Sequence, residues 1–169
     1  EHDSRGNMTK VSYFGVDGKP TLDKDVVAEI RTERDSRGNL TKVSCFGVDG
    51  KPTLDKDGFA ESRWEHDSRG NMTKVSYFGV DGQPALDKDG VAEIRWEYDS
   101  RGNTTKGSFL GVDGKPTLHK DGVAEIRSEY DRQGRLIRTS FFDAEGKPTL
   151  VARIGGSAEV RIEYDKRGN

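Results

Sequence analysis

Cysteine is almost missing from this chain: Cys45 is the only one, so no internal disulfide can form. Apolar residues are also scarce, at 31% against 34% charged, which is too lean for a thick single core. No long apolar run exists, so the sequence offers neither a membrane span nor a signal peptide. An excess of charge of one sign is lacking too. The net charge is only -2, with signs alternating along the chain, so there is no basic stripe to hold a phosphate backbone and nucleic acid is excluded as a partner. Disorder couples low hydropathy to high net charge. Here the charge is low and aromatics recur at fixed places, so a thin, regular, two-sided structure is expected.

What the chain has in abundance is repetition. Asp3, Asp35, Asp67, Asp99 and Asp131 open successive copies, and Asp165 opens a further one. Residues 1–169 read as one tandem array with units 3–34, 35–66, 67–98, 99–130 and 131–164, and the start of another at 165–169. Repeats of this length bury surface mainly against their neighbours. The residues constant between copies define backbone: the turn glycines Gly6, Gly38, Gly70, Gly102 and Gly134, the prolines Pro20, Pro52, Pro84, Pro116 and Pro148, the Ala-Glu pairs, and the arginines Arg31, Arg63, Arg95, Arg127 and Arg161. The chain starts and ends inside a unit without an initiator Met, as expected of a piece of a longer or processed protein.

Each unit carries two turn signals. Asp-Ser-Arg-Gly-Asn lets Asp bond the backbone ahead of it and Gly or Asn take positive φ, and Val-Asp-Gly-Lys is an Asp-Gly hairpin turn. Between them Thr9–Phe14 alternates in polarity and is rich in β-branched and aromatic residues, the pattern of a strand. A second strand precedes the Asp turn, seen best at Ala92–Tyr98, with Ala, Ile, Trp and Tyr on one face and Glu, Arg and Glu on the other. Matching apolar to apolar and charge to opposite charge puts Trp64 opposite Val75, Glu65 opposite Lys74, Trp96 opposite Gly107, Glu97 opposite Lys106 and Tyr98 opposite Thr105, around a four-residue Ser-Arg-Gly-Asn loop. Lys-Pro-Thr-Leu, opening with a residue that cannot donate to a ladder, should be an edge or connecting strand. Gly, Pro and Asp punctuate the chain too often for helices. The expected fold is all-β: an elongated tandem-repeat β-solenoid or β-hairpin array of about five 32-residue units.

Tyr98-Asp99-Ser-Arg-Gly102-Asn103, Tyr130-Asp131-Arg-Gln-Gly134-Arg135 and Tyr164-Asp165-Lys-Arg-Gly168-Asn169 resemble the Tyr-Asp signature of YD repeats, the units of RHS-type bacterial proteins. The resemblance recurs along the chain but covers only the hairpin part of each unit, and His2, Arg34 and His66 replace the tyrosine in other copies. It implies β-hairpin sheets in secreted or surface bacterial proteins. The toxin-enclosing shells some of them build need far more chain than this. Tyr13-Phe14-Gly-Val-Asp17-Gly18-Lys19 also resembles aromatic cell-wall-binding repeats.

Four sequons at the Asp turn, on Asn7, Asn39, Asn71 and Asn103, offer a row of glycan acceptors, although Asn suits the turn and Thr the strand without any sugar. Asp23/Asp25, Asp55/Asp57 and Asp87/Asp89 pair carboxylates on a loop of the kind hard cations such as Ca²⁺ favour, but the full calcium-loop pattern is missing and His119 breaks the pair in the fourth copy. His2, His66 and His119 share no slot and have no nucleophile or metal-ligand spacing, so no catalytic constellation and no cofactor site is expected. Trp64 and Trp96 lie on the apolar face, where packing competes with a role as platforms for sugar rings. Cys45 occupies the slot of Tyr13, Tyr77, Phe109 and Phe141 and reads as a small buried hydrophobe.

These features point to a non-enzymatic structural protein of an extracellular fibre, stalk or cell-surface array. Its first and last strands lack partners and are complementary, so copies are expected to join head to tail into a homopolymer. The alternative is a module that binds carbohydrate or another cell-surface ligand through its repeated aromatic and Asp-Gly loops.

Overall fold

The computed structural model describes residues 1–165; Gly168 and Asn169 of the last Tyr-Asp motif, with most of the unit opening at 165, lie outside the described residues. By their contacts the residues form two compact units, Glu1–Lys88 and Asp89–Asn169. The first holds β1 (Lys10–Ser12), β2 (Glu29–Arg34), β3 (Leu40–Phe46), β4 (Glu61–His66) and β5 (Met72–Phe78). The second holds β6 (Glu93–Tyr98), β7 (Thr104–Leu110), β8 (Glu125–Tyr130), β9 (Leu136–Phe142) and β10 (Glu159–Arg161). In each, strands lie side by side in chain order and pair antiparallel in an open sheet. Of the two expected architectures this is the hairpin array. Three-residue turns close the β2–β3, β4–β5, β6–β7 and β8–β9 hairpins, and the longer proline and acidic-loop segments return the chain between the other paired strands of each unit. The pairings among the described residues are therefore antiparallel and not those of a parallel solenoid coil.

The expected cross-strand partners are present: Trp64 faces Val75, Glu65 faces Lys74, Trp96 faces Gly107 and Glu97 faces Lys106. The last pair is corrected by one residue. Tyr98 faces Thr104, because the register shifts between Glu97 and Tyr98 and Thr105 is left as a bulge. The loop is accordingly shorter than expected. The amide of Asp99 donates to the Asn103 carbonyl at 2.9 Å, and that of Gly102 to the Asp99 carbonyl at 3.1 Å, leaving three residues, Ser-Arg-Gly, at the tip. Gly102 sits at φ +88°, a left-handed conformation that tightens the turn. The same shift recurs at Glu33/Arg34, Glu65/His66 and Glu129/Tyr130.

Two further expectations change in detail. The proline segment is not a strand but a single bridge, Phe46 with Pro52 and Phe142 with Pro148, consistent with a residue that gives no N–H to a ladder. Among the described residues there is also one short 3-10 turn, Ala152–Ile154, closed by left-handed Gly155 in the fifth copy, where Gly155-Gly156 lengthens the loop.

The core is thin and repeats. Val27, Ala28, Cys45, Ala60 and Val75 are buried in the first unit; in the second, Val91, Ala92, Leu110, Val123, Ala124, Phe141 and Val151 are. The valine after the acidic loop in the first, third and fourth copies, Val27, Val91 and Val123, is buried and contributes about 1.5–3 kcal/mol, while Phe59 in the second copy is half-buried. In the second unit, Val123, Phe141 and Val151 gather Phe109, Ile126 and Ile154 around them.

Candidate functional site: contacts that recur between copies

Polar groups recur from copy to copy in rows, some closing their own turn and some tying one copy to the next. The first row is the Asp turn. Asp35 accepts the amides of Arg37 and Asn39 at 2.8 and 2.9 Å, and its other oxygen accepts the Asn39 amide side chain at 2.9 Å. The Asn39 side chain, followed by these backbone bonds, holds the Asp35 carboxyl below its ordinary pKa. Asn7, Asn71 and Asn103 repeat this on Asp3, Asp67 and Asp99. Each sequon nitrogen is therefore engaged inside its own turn. In the fifth copy Arg135 replaces asparagine and reaches Asp131 through Nε at 2.7 Å.

From that turn an arginine reaches its neighbour. Arg37 donates through Nη1 to the Ser68 carbonyl at 2.7 Å; Arg5 does the same to Ser36, and Arg101 to Arg132. The Tyr-Asp tyrosine makes a second link between hairpins: the Tyr130 hydroxyl donates to the Thr104 carbonyl, and that of Tyr164 to the Leu136 carbonyl, both at 3.0 Å.

The acidic loops form the second row, and their two carboxylates divide the work. The first caps its own loop: Asp23 accepts the amides of Asp25 and Val27, and Asp55 those of Asp57 and Phe59. The second meets the lysine of the following copy. Lys56 reaches Asp25 at 2.6 Å, Lys88 reaches Asp57 at 2.5 Å and Lys120 reaches Asp89 at 2.6 Å. Lys56 thereby compensates Asp25 Oδ1, which is closed off from solvent and has no other partner. The lysine amides donate to the carbonyls of the same three aspartates. Asp87 belongs to the same loop in the third copy, ahead of Asp89. Among the described residues no three His, Cys, Asp or Glu side chains converge as a metal centre would need. His119 stands where Asp23 and Asp55 stand, takes over the cap by accepting the Asp121 amide on Nδ1 at 3.3 Å, and packs on Phe109.

The third row lies on the charged sheet face. Glu61 accepts Arg63 Nε at 2.7 Å and the Ser44 hydroxyl at 3.2 Å, with Lys42 Nζ at 3.0 Å. Burial pushes this carboxyl up, but Lys42 and Arg63 outweigh burial and leave it below its ordinary value. The arginine then sits over a phenylalanine ring: Arg31 on Phe46, Arg63 on Phe78 and Arg127 on Phe142, with Cζ 4.1, 4.0 and 4.2 Å from the ring centroid. On the opposite face Trp64 and Trp96 are half-buried, and Trp64 donates Nε1 to the buried Ser62 hydroxyl at 2.9 Å. Cys45 is buried, and desolvation pushes its thiol up to about 11.

Sequence reasoning missed the lysine and arginine links. Their signal was available: a lysine between every pair of loop acids and an arginine in the Asp turn, neither of which turn geometry requires. No protein-family model matches the chain, and comparison with curated proteins returns no match.

Proposed function

We propose that the chain is a non-enzymatic structural repeat protein, a YD/RHS-like hairpin array that serves in an extracellular bacterial fibre, stalk or surface array and extends itself head to tail. The observation that supports this reading is the identity of the links. One recurring polar contact ties each copy to the next in the same way: Lys56 on Asp25, Lys88 on Asp57 and Lys120 on Asp89. Scaffolds need repeated, interchangeable joints, and an array with nearest-neighbour contacts supplies them. Electron microscopy at several concentrations, with light scattering on the same samples, tests it. Filaments that lengthen with concentration are expected, and uniform monomers at every concentration would overturn self-assembly.

A second reading, carbohydrate recognition, is favoured by the half-exposed Trp64 and Trp96. It predicts tryptophan fluorescence quenched by added cell-surface glycan, an effect that the scaffold reading does not predict.

A further inference from the structure

On the charged face a groove recurs from copy to copy, and in the second unit a side chain that fills it elsewhere is missing. In the first unit the groove holds about 210 Å³ over Lys42, Ser44, Pro52 and Glu61, and Phe46 bounds it, with Arg31 over the ring. The second unit keeps the register: Glu93 faces Leu110 and Arg95 faces Ser108, as Glu29 faces Phe46 and Arg31 faces Ser44. Leucine at 110 puts no ring under Arg95, whereas Arg31, Arg63 and Arg127 each cover a phenylalanine. The groove there holds about 430 Å³ and runs past Leu110 and Pro116 to Arg95 and Glu97, whose counterparts Arg31 and Glu33 lie outside it in the first unit. It lies over two complete hairpins, β6–β7 and β8–β9.

The opposite rim changes as well. The second and third copies open this turn on Gly47 and Gly79 and cap it with the third residue: Asp49 accepts the Lys51 amide and Asp81 the Gln83 amide, each at 3.0 Å. A Cβ on Gly79 would stand 3.1 Å from the Asp81 carboxylate, so a side chain there competes with that cap for space. In the fifth copy the capping acid moves to the first position, where Asp143 accepts the amides of Glu145 and Lys147 at 3.0 and 2.8 Å. Glu145 stands where Asp81 stands, is exposed and is released from capping, and it lines the groove.

We propose that this groove binds a segment of a partner protein that carries an aromatic side chain next to a basic one, the ring lying on Leu110 and Pro116 under the Arg95 guanidinium and the base meeting Glu145. The other hairpins specify the ring: Phe46, Phe78 and Phe142 show that this strand position, beneath this arginine, accepts a phenyl group, and Leu110 leaves the arginine face to one supplied from outside. The rim specifies the charge. Lys106 is engaged by Glu97 and Glu125 at 3.4 and 3.1 Å, and Arg127 by Glu125 and Arg95 by Glu93, both at 2.6 Å. Each cation of the groove thus has its carboxylate, and the charge left to choose a visitor is that of Glu145. The site is independent of self-assembly, since all its residues belong to one unit.

Titration of the full chain with the end-capped peptide Gly-Phe-Lys-Gly, followed by NMR, tests this. Saturable shifts are expected at the amides of Ser108, Leu110 and Glu145, and not at Ser44, Phe46 and Asp81, which hold the same positions in the first unit. Leu110→Phe puts back the residue of the other hairpins and should lower affinity about ten-fold by filling the place of the ring. Arg95→Gln should lower it about two- to five-fold, the loss of one exposed cation–π contact. Glu145→Gln should weaken binding at low salt and have little effect at high salt. The peptides Gly-Leu-Lys-Gly, without the ring, and Gly-Phe-Glu-Gly, with the charge reversed, should both bind more weakly to the unaltered chain. These two controls decide the matter even if Leu110→Phe misfolds, which Trp96 emission and the urea midpoint would reveal. No saturable shift, equal affinity for either control peptide, or undiminished binding to a folded Leu110→Phe chain would overturn the site.

Discussion

Gly107 is the position where this repeat is most plainly unfinished. Copies one to three place Val11, Val43 and Val75 in the slot, and Val75 is only 2% exposed. Gly107 lies within β7 opposite Trp96, and a Cβ built on it meets only Trp96 Cδ1, at 3.9 Å, an ordinary contact. The expected effect of Gly107→Val follows. Removing glycine from a strand interior contributes about 0.5–1 kcal/mol. Burying half of a valine, since Trp96 is itself half-exposed, adds about 1 kcal/mol. Fixing χ1 offsets about 0.5 kcal/mol. The net gain is about 1–1.5 kcal/mol, which at a urea slope of about 2 kcal/mol/M raises the midpoint by about 0.5–0.75 M. Trp96 reports the transition directly once Trp64→Phe silences the other tryptophan. Val75→Gly, the mirror change, should cost about 2–3 kcal/mol. A midpoint unchanged or lowered in Gly107→Val at constant slope would refute the register and the covered state of this face.

Other consequences can be measured with the same chain. Val26 holds φ +67° where the later copies have Gly58, Gly90 and Gly122, so Val26→Gly should be more stable than Val26→Ala by about 0.5–1 kcal/mol in chemical denaturation, the reverse of the usual order. Ser62→Ala should cost about 1 kcal/mol and shift Trp64 emission, because the indole N–H loses its acceptor. Cys45 should resist thiol reagents at pH 8 until the chain is unfolded in urea. Asp3, Asp35, Asp67, Asp99 and Glu61 all titrate below their ordinary values in the fold. Their contribution is complete above the unfolded carboxylate range and is lost as pH falls through the lowered folded values. Thermal stability should therefore be flat near neutrality and drop only in acid, below about pH 4.

The hairpins were legible because two signals agreed, the turn chemistry of Asp-x-x-Gly and the alternation in Ala92–Tyr98. The bulge was not. It depends on how far the Asp99 carboxylate, gathering the amides of Arg101 and Asn103, tightens the turn, a competition of geometries that polarity cannot rank. The link made by the second acid of each loop was not legible for a related reason. Asp25 and Asp23 look alike in sequence, yet one binds within its copy and the other between copies, a difference that exists only once neighbouring copies are stacked. Tyr130 and Tyr164 show the same limit: their place in the Tyr-Asp motif was evident, their carbonyl acceptors in the preceding hairpin were not.

The sameness of the joints bears on how such a chain changes through time. If one 32-residue copy is lost or gained in the coding sequence, the lysine of the new neighbour finds the same aspartate, and the arginine finds an equivalent carbonyl. No interface has to be reinvented, and copy number becomes a variable that inheritance can adjust in whole steps without passing through an unfolded intermediate design.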